Sequence, residues 1–300
     1  MLPIFLILNP SSGSGKNDKL VPIIRDYFAN AGIPFEFHIT KRQDEARIIA
    51  AEAKNNYPII IAAGGDGTVN EVVNGIAGSE CVLGVLPLGS GNDFAKVLGY
   101  PKQLISSLKV ISEQQIRSID LGIIEAINSL AEKQTKHFIN FVGIGLDAQV
   151  ANEATKIRWA RGLVKYAIAA IKVIFRYHAD FSKVTGTEFE SEGKHLLISI
   201  GNGKSSGGGF YLTPDALLDD GLLDICIAKN LSTIEILKIF PFVIAGRHTR
   251  FSKVSMHRTN KLMIRSGSNL PIHVDGEILG LDCREIHIEL IRHAIRVITP

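Results

Sequence analysis

The chain has 300 residues, 46% of them apolar, and its 33 Lys and Arg nearly balance 30 Asp and Glu. This predicts a globular protein of about two domains and excludes a disordered or fibrous chain. A net charge of only +3 gives no argument for nucleic acid as a partner. No apolar run reaches the roughly 18 residues of a membrane span, no signal peptide is recognisable, and the scattered Cys81, Cys226 and Cys283 predict buried free thiols. We therefore expect a cytoplasmic protein.

Strand and helix patterns alternate over the first third of the chain. Apolar runs predict strands at residues 4–8, 35–39, 58–62 and 82–86, and helical periodicity predicts helices at 19–31, 46–54 and from about 68. Such alternation is typical of a parallel sheet covered by helices, which binds ligands beyond the carboxyl ends of its strands. Glycine-rich or polar segments follow three of these strands, at 9–13, 64–68 and 87–94.

The pattern changes after about residue 118. Short apolar runs separated by turns predict antiparallel strands at 119–127, 137–146, 183–189, 195–201, 222–228, 251–257, 261–265 and 286–290, with helices at 151–177 and 233–245. We place a domain boundary near residue 122. The prediction is an α/β domain over 1–122 and a β domain over 123–290, with the last strand, in 291–300, able to complete the first domain.

The segment Gly64-Gly65-Asp66-Gly67-Thr68 carries the first chemical signal. Paired glycines after a buried strand allow a sharp turn and close approach to a ligand, and the following helix N-terminus attracts phosphate. Asp66 pointed at bare phosphate would repel it. The economical interpretation is a divalent cation between them, as magnesium acts in phosphoryl transfer.

A series of motifs then occurs in a specific order. They are Asn9-Pro10 with Ser12-Gly13, Gly64 to Thr68, Pro87-Leu88-Gly89-Ser90-Gly91-Asn92-Asp93-Phe94, Asn202-Gly203 with Gly207-Gly208-Gly209, Asp220-Gly221-Leu222-Leu223-Asp224, and Asp275-Gly276-Glu277. This set resembles the diacylglycerol kinase catalytic-domain family, specifically the bacterial lipid kinases related to sphingosine kinases. The resemblance implies a nucleotide-binding α/β domain like that of NAD kinases and 6-phosphofructokinases, followed by a β-sandwich domain, with ATP in the cleft between them.

The resemblance also implies the nucleotide site. Asp66 would lie close to the catalytic magnesium, and Asn9 and Ser12 would line the adenine side. The other implied nucleotide-binding residues are Gly64, Gly65, Gly67, Thr68, Val69, Asn70, Glu71, Ser90, Asn92 and Asp93. Thr40 matches a threonine that helps to hold the nucleotide, although a lone Thr after a strand is as often a helix N-cap.

Glu277 is the candidate general base. A carboxylate there could accept the proton of a substrate hydroxyl as the γ-phosphoryl group transfers. Asp-Gly is also a favoured two-residue hairpin, so local sequence alone favours a solvated turn. The resemblance favours catalysis by Glu277, with Asp275 as a partner that orients it or shares magnesium.

A second metal site is implied at the segment 217–224. The resemblance assigns a structural magnesium to the Leu217 carbonyl, the Asp220 carboxylate and the Leu222 carbonyl. One carboxylate with flanking carbonyls suits a hard cation. A charged turn without metal is the alternative.

Periodicity alone gives one further prediction. On a continuous helix at 151–177, five cations share a stripe ~60° wide beside Trp159, since successive residues turn by ~100°. These cations are Arg158, Arg161, Lys165, Lys172 and Arg176. The face could dock on an anionic membrane, each cation contributing on the order of 1 kcal/mol, or be a solvated helix surface. Docking would place the protein peripherally at the inner face of the membrane.

We therefore predict an ATP- and magnesium-dependent lipid kinase of lipid metabolism. Its acceptor could be diacylglycerol, phosphatidylglycerol, a sphingoid base or an isoprenoid alcohol. One alternative is an NAD kinase, which shares the Gly-Gly-Asp-Gly loop but is disfavoured by the later motifs. The other is a non-catalytic nucleotide or lipid sensor of the same fold. The resemblance is compatible with a homodimer.

Overall fold

A computed structural model describes residues 2–13, 15–157 and 159–300. Their internal contacts divide the chain into two compact units. Unit 1 holds the residues up to Asp120 together with His293–Pro300, and unit 2 holds Leu121–Arg292. Residues 291–300, assigned as able to complete the first domain, therefore fall mostly in unit 1.

Unit 1 is built around a parallel sheet. Its elements are β1 (Ile4–Leu8), α1 (Val21–Asn30), β2 (Phe35–Ile39), α2 (Glu45–Ala53), β3 (Ile59–Gly64), α3 (Asp66–Ile76), β4 (Val82–Pro87), α4 (Asp93–Val97) and α5 (Leu104–Glu113). The strand order is β2-β1-β3-β4, all parallel, and Arg296 and Val297 near the chain's end pair in parallel with β4. Every residue of β3 is buried, as is typical of a central strand covered by helices on both faces.

Unit 2 is mainly antiparallel. Its elements are β5 (Ile116–Asn128), β6 (Lys133–Phe138), β7 (Phe141–Gly145), α6 (Leu146–Thr155), α7 (Gly162–Ile174), β8 (Asp180–Gly186), β9 (Glu190–Gly201), β10 (Leu223–Lys229), α8 (Thr233–Ile244), β11 (Val254–Thr259), β12 (Lys261–Val274) and β13 (Glu277–Ile298). The long strands β9 and β12 each pair with β8 through their first halves and with β7 through their last residues. They thereby join two layers around an apolar core that includes Val142, Ile200 and Ile264.

The helices of unit 2 form a separate cluster. Side chains of α6 and α7, with Leu196 of β9 and Ile236 of α8, make a second apolar core. None of the helices in the described part of the chain is long and apolar enough to cross a membrane. Cys81, Cys226 and Cys283 are buried free thiols, as predicted.

The prediction of one helix over 151–177 is wrong. The chain forms α6 and α7 instead, with a break between Thr155 and Gly162. Gly162 has φ +52° and Ile157 is buried against both helices, so tertiary packing stabilises the break. Since the helix is interrupted, the predicted five-cation stripe does not exist on one helix.

The five cations therefore have different surroundings. Arg158 lies outside the described residues. Arg161 precedes α7 in an extended conformation, and Arg176 follows the end of α7. Lys165 and Lys172 lie on α7, and the ammonium of Lys172 is 3.6 Å from a carboxylate oxygen of Glu153 on α6.

Candidate active site

The first glycine loop joins β3 to α3. Gly64 ends the strand, Gly65 is the extended N-cap residue, and Asp66 opens the helix. A Cβ on Gly64 would lie 2.4 Å from Oγ1 of Thr68, so the loop folds tightly against the first turn of the helix. The first amides of a helix lack intrahelical partners and favour an anion. The loop therefore has the geometry of a phosphate-binding turn.

A second glycine loop, between β4 and α4, packs directly on the first. A Cβ on Gly89 would lie 2.4 Å from the Cα of Gly65, so the loops approach this closely only with glycine at position 89. The Leu88 amide donates to the Gly64 carbonyl at 2.8 Å. The two loops lie at the carboxyl ends of neighbouring parallel strands, where ligands bind in such sheets.

Asp66 connects the two loops. Its Oδ1 accepts a hydrogen bond from the Phe94 amide at 3.2 Å, at the start of α4. The carboxylate is thus held where two sets of backbone amides meet. Mg²⁺ bound to nucleotide phosphates needs only one or two protein carboxylates, so this arrangement fits that ion.

Asn92 braces the second loop. It has φ +52°, which Asn tolerates better than most residues. Its Oδ1 accepts from the Gly89 amide and its Nδ2 donates to the Gly89 carbonyl, each at 2.9 Å. Asp93 is buried 3.4 Å from Lys96, whereas Ser90 is exposed. Ser90 therefore has the accessible side chain, and those of Asn92 and Asp93 support the loop.

Asn9 and Ser12 contact the first glycine loop. Asn9 Nδ2 donates to Oγ1 of Thr68 at 3.1 Å, and Ser12 Oγ accepts from the Gly65 amide at 3.3 Å. One amide expected to face phosphate is therefore bound by a serine hydroxyl. Whether Asn9 and Ser12 also line the adenine site stays a prediction.

Thr40 follows β2 and is buried. Its hydroxyl donates to the carbonyl of Leu8 at the end of β1, at 3.3 Å. The helix after it begins at Glu45, and its N-cap residue is Asp44. The alternative of Thr40 as an N-cap is therefore wrong.

The remaining helix residues assigned to the nucleotide have structural contacts. Val69 and Asn70 are buried within unit 1. Glu71 Oε2 accepts from the amide of Ala46 at 3.0 Å and so links α3 to α2. Gly67 lies in the first turn of α3, where its backbone amide is one of the four that open the helix.

In unit 2, Asp275 and Gly276 form the two-residue turn between β12 and β13. Both have positive φ, +49° and +86°, as this tight hairpin requires. The carboxylate of Asp275 accepts three backbone hydrogen bonds, from Ile139 at 3.0 Å, Asn140 at 3.1 Å and Phe141 at 2.7 Å. These bonds also explain why the strand predicted over 137–146 is divided into β6 and β7. Asp275 thus organises the backbone, and its hydrogen bonds leave it poorly suited to share magnesium.

Glu277 opens β13 and pairs with Lys136 of β6. Their oxygen and nitrogen atoms are 2.7 Å apart, and both side chains are about a quarter exposed, 28% and 23% respectively. The carboxylate is therefore held in place and is accessible to a substrate. Sequence reasoning missed Lys136, because it precedes Glu277 by 141 residues and stands in a polar run without a motif.

The segment around Asp220 has a cation already beside it. The guanidinium of Arg258 contacts the Asp220 carboxylate, whose Oδ1 also accepts from the Leu222 amide at 3.0 Å. Leu217 has an exposed side chain, as a residue binding through its carbonyl can have. The assignment of these residues to a metal stays a prediction.

Charges of both signs meet in this segment. Burial raises the pKa of Asp224, and the nearby carboxylates of Asp220 and Asp215 raise it further, against the opposing effect of Arg258. The three carboxylates thus share this segment with two guanidinium groups, because the side chain of Arg292 lies against Gly221. No group of three or more acidic, His or Cys side chains within the described ranges has the geometry of a metal site. A cation here would depend on carbonyl and water ligands.

Unit 2 also contains an apolar cavity of about 100 Å³ between its helices and strands β9 and β10. Its aliphatic and aromatic lining includes Ile174, Leu196 and Phe240. Burial raises the pKa of the lining Cys226 to about 12 and lowers the pKa of His248, so both are neutral at pH 7. The cavity is suited to an uncharged aliphatic group.

Two solved structures share this fold. A diacylglycerol kinase from Bacillus anthracis is 22% identical, with a TM-score of 0.74 over 99% of this chain and 97% of that chain. Yeast NADH kinase, solved with NADH, is 12% identical, with a TM-score of 0.54 over 100% of this chain and 84% of that chain. At these identities the likeness concerns the fold alone. It confirms the prediction of an NAD kinase-like α/β domain followed by a β-sandwich.

The sequence comparisons identify the family. Residues 3–124 match the model for the diacylglycerol kinase catalytic domain, and residues 140–299 match that for the YegS C-terminal NAD kinase beta sandwich-like domain. Diacylglycerol kinase from Staphylococcus haemolyticus is 31% identical over 98% of this chain and 87% of its own length. That from Staphylococcus saprophyticus is 30% identical over 92% of this chain and 88% of its own length. The chain therefore belongs to the diacylglycerol kinase family, as its motifs predict.

Proposed function

We propose that this protein transfers the γ-phosphoryl group of ATP to the hydroxyl of diacylglycerol or a related lipid. The observation that carries the proposal is the packing of two glycine loops around Asp66 at the strand ends of unit 1. Backbone amides concentrated at one sheet edge favour the phosphates of a nucleotide. The names of the relatives favour a lipid acceptor over NAD.

The protein's part in phosphate binding is electrostatic. The amides of the first turn of α3 and of the second loop would hold the phosphate oxygens, and the Ser90 hydroxyl can donate to them. Asp66 would hold Mg²⁺, which, when bound, neutralises charge on the phosphates. The hydrogen bond from Phe94 keeps Asp66 between the loops. Gly65 and Gly89 allow the backbone itself to approach the nucleotide.

Glu277 would act as the general base. Its carboxylate accepts the proton of the lipid hydroxyl while that oxygen bonds to the γ-phosphorus and ADP leaves. Lys136 positions the carboxylate through the ion pair at 2.7 Å. Asp275 contributes by fixing the turn, not by touching the reacting atoms.

The apolar cavity of unit 2 supports a lipid acceptor. Its lining is mostly aliphatic and aromatic, with the carboxylate of Asp147 at one point, and it fits an aliphatic chain better than a polar nucleoside. The length of the acceptor's aliphatic chain and its head group would determine whether diacylglycerol or another lipid alcohol is the substrate.

The test is transfer of labelled γ-phosphate from ATP, with Mg²⁺, to diacylglycerol in mixed micelles. We expect labelled lipid from the wild type and a loss on the order of 100-fold or more in Glu277→Gln, because general-base catalysis contributes about 10²–10⁴-fold. Glu289→Gln, on the same strand and solvent-exposed, is the matched control and should keep full activity. Labelled NAD instead of lipid would favour an NAD kinase. ATP binding without transfer to any acceptor would favour a sensor.

A second Mg²⁺ at the Asp220 loop is part of this proposal. The support for it is that the carboxylates of Asp215 and Asp220 lie close enough to Asp224 to raise its pKa, and a bound cation would reduce the repulsion among the three. The Asp220 carboxylate with the Leu217 and Leu222 carbonyls would hold the ion. It would stabilise the strand connection before β10 and take no part in phosphoryl transfer.

Peripheral membrane contact is also proposed, through a surface narrower than the predicted stripe. Large apolar side chains are exposed near α7, with Trp159 at 78%, Val164 at 60% and Phe175 at 64%. Lys165 and Lys172 lie on the same helix and supply positive charge. Exposed apolar residues next to cations favour the interface of an anionic bilayer.

Charge reversal tests this contact. Lys165→Glu with Lys172→Glu should weaken sedimentation with phosphatidylglycerol-containing vesicles by on the order of 30-fold or more, since the two lost cations contribute about 2 kcal/mol together and the new carboxylates are repelled. Lys102→Glu with Lys109→Glu, two exposed lysines of unit 1, makes the same change in net charge and is the control. Equal vesicle binding by all three proteins would contradict membrane docking through α7.

A homodimer, with which the family resemblance is compatible, is a separate proposal. Light scattering of the purified protein measures its mass and tests it.

A further inference from the structure

His273 contacts the turn that carries Glu277. Its Nδ1 accepts a hydrogen bond from the Gly276 amide at 3.3 Å. The residues that pair across this hairpin are Val274 and Glu277, so the Gly276 amide lies outside the strand ladder. The side chain of His273 therefore restrains the Gly276 amide, which the backbone hydrogen bonds of the sheet do not.

The same imidazole is held from its other side. Its Nε2 is 3.3 Å from Oδ2 of Asp147, the second residue of α6. Because a backbone amide can only donate, Nδ1 must accept, and the proton of the neutral ring lies on Nε2. The proton on Nε2 then faces the Asp147 carboxylate, which is an electrostatic contact. The two contacts require the same tautomer and reinforce each other.

The surrounding strands are shaped for this pair. Gly143 of β7 lies opposite His273 on one side and Ser199 on the other. A Cβ on Gly143 would lie 2.2 Å from His273 Nε2 and 2.3 Å from Asp147 Oδ2, so only glycine leaves room for the pair. Ser199 Oγ lies 3.5 Å from Asp147 Oδ2, and the imidazole is stacked with Phe141 at 15° between ring planes.

His273 is only 1% exposed. A buried polar ring is costly unless its nitrogens have polar partners, and an apolar side chain would fill the space without that requirement. The residues beside it on the strand, Ile272 and Val274, are apolar and face the sandwich core. His273 faces the opposite side of the sheet, towards α6. Its polar contacts join Asp147 of α6 to Gly276 of the turn that carries Glu277.

We propose that His273, oriented by Asp147, is a positioning residue for the general base. It fixes the backbone of the turn at Gly276 and so keeps the Glu277 carboxylate in the geometry that accepts the substrate proton. The inference rests on the proposed role of Glu277. Displacing the general base should lower kcat and leave ATP binding unchanged.

Two substitutions distinguish the roles of the two ring nitrogens of His273. The amide of His273→Asn reaches the position of Nδ1 and can still accept from Gly276, but it loses Asp147. The longer His273→Gln reaches the position of Nε2 and keeps Asp147, but it loses Gly276. We expect His273→Gln to lower kcat on the order of 10–100-fold with KM for ATP unchanged. His273→Asn should retain kcat within about 5-fold of the wild type, because the restraint on the turn is kept.

His287→Gln is the matched control, an exposed histidine on β13, and should not change kcat. Equal loss of kcat in both His273 variants, in proportion to their loss of thermal stability, would overturn the inference. Wild-type kcat in both would overturn it as well. Glu277→Gln in the same assay tests the proposed function separately: if it transfers phosphate at the wild-type rate, the role of Glu277 itself is wrong.

Nuclear magnetic resonance tests the geometry even where a variant fails to fold. Long-range proton–nitrogen correlations of ¹⁵N-histidine-labelled wild type should show His273 as the neutral tautomer protonated at Nε2. Protonation at Nδ1 would remove the acceptor for Gly276 and would overturn the inference.

Discussion

Gly89→Ala tests the contact between the two glycine loops. The added Cβ would lie 2.4 Å from Gly65 Cα, whereas ordinary contact begins at 3.4 Å, so the backbones must separate by about 1 Å. A displacement of this size at a site of precise positioning lowers the rate about 100-fold. The overpacking costs about 1–3 kcal/mol of stability, which a protein of ordinary stability survives.

A glycine series makes the prediction quantitative. A Cβ on Gly65 would lie 3.3 Å from Gly89 Cα, which requires a shift of only about 0.1 Å, so Gly65→Ala should cost much less. Gly267→Ala is the control, because nothing lies within 4 Å of its added Cβ. We therefore expect kcat/KM for ATP to fall in the order Gly267→Ala, Gly65→Ala and Gly89→Ala, with the first at the wild-type value.

The assay is steady-state phosphorylation of diacylglycerol micelles at varied ATP, with calorimetric titration of ATP as a second readout. If Gly89→Ala kept wild-type kcat/KM and ATP affinity while unfolding at the same urea concentration, the close packing of the loops would not matter to the nucleotide. That result would refute the assignment of this sheet edge to phosphate binding.

Three further outcomes are expected. Asp275→Asn should lower the free energy of unfolding by about 3 kcal/mol, since charge-assisted bonds to the amides of residues 139–141 are lost or weakened; an unchanged urea midpoint would contradict this. Millimolar Mg²⁺ should raise the melting temperature of the wild type more than that of Asp220→Asn, and equal shifts would exclude an Asp220 metal site. Lowering the pH from neutral to about 5.5 should reduce stability, because burial lowers the pKa of folded His195 and the unfolded chain takes up the proton first, below about 6.5. The stability that neutral His195 contributes is present above about pH 6.5 and is lost as the pH falls towards the lowered pKa of the folded protein. His195→Gln should therefore flatten the plot of urea-unfolding free energy against pH. An unchanged slope would show that His195 is not the cause.

Patterns local in sequence were predicted well. The parallel strands of unit 1 follow from short apolar runs, and the first glycine loop follows from glycines directly after a buried strand. The hairpin at Asp275 and Gly276 also follows from its two residue types. In each of these cases neighbouring residues determine the backbone geometry, so the chain itself contains the information.

The sequence does not determine the roles of individual polar side chains. Asn92 and Asp275 belong to motifs and were assigned to ligand or catalysis, but their polar atoms bind backbone amides and a carbonyl of the protein. A motif residue that shapes a loop and one that touches a ligand look the same in a single sequence. Only the hydrogen-bond partners distinguish them.

The interrupted helix shows a related limit. Residues 151–177 have acceptable helical periodicity, yet the chain breaks after Thr155 because burying Ile157 between α6 and α7 stabilises the break. Helix propensity is a weak preference that tertiary packing overrides. The prediction of a five-cation stripe is wrong for the same reason, because it assumed one continuous helix.

The amino-acid sequence by itself determined the family, the α/β and β-sandwich classes and the glycine loops, since these depend on motif order, hydrophobic period and local turn chemistry. The tertiary structure alone decided which groups meet. It brought Lys136 to Glu277 and Asp147 to His273, pairs separated by more than a hundred residues. The physical reason is that hydrogen bonds and ion pairs act over about 3–4 Å in space, whatever the distance along the chain.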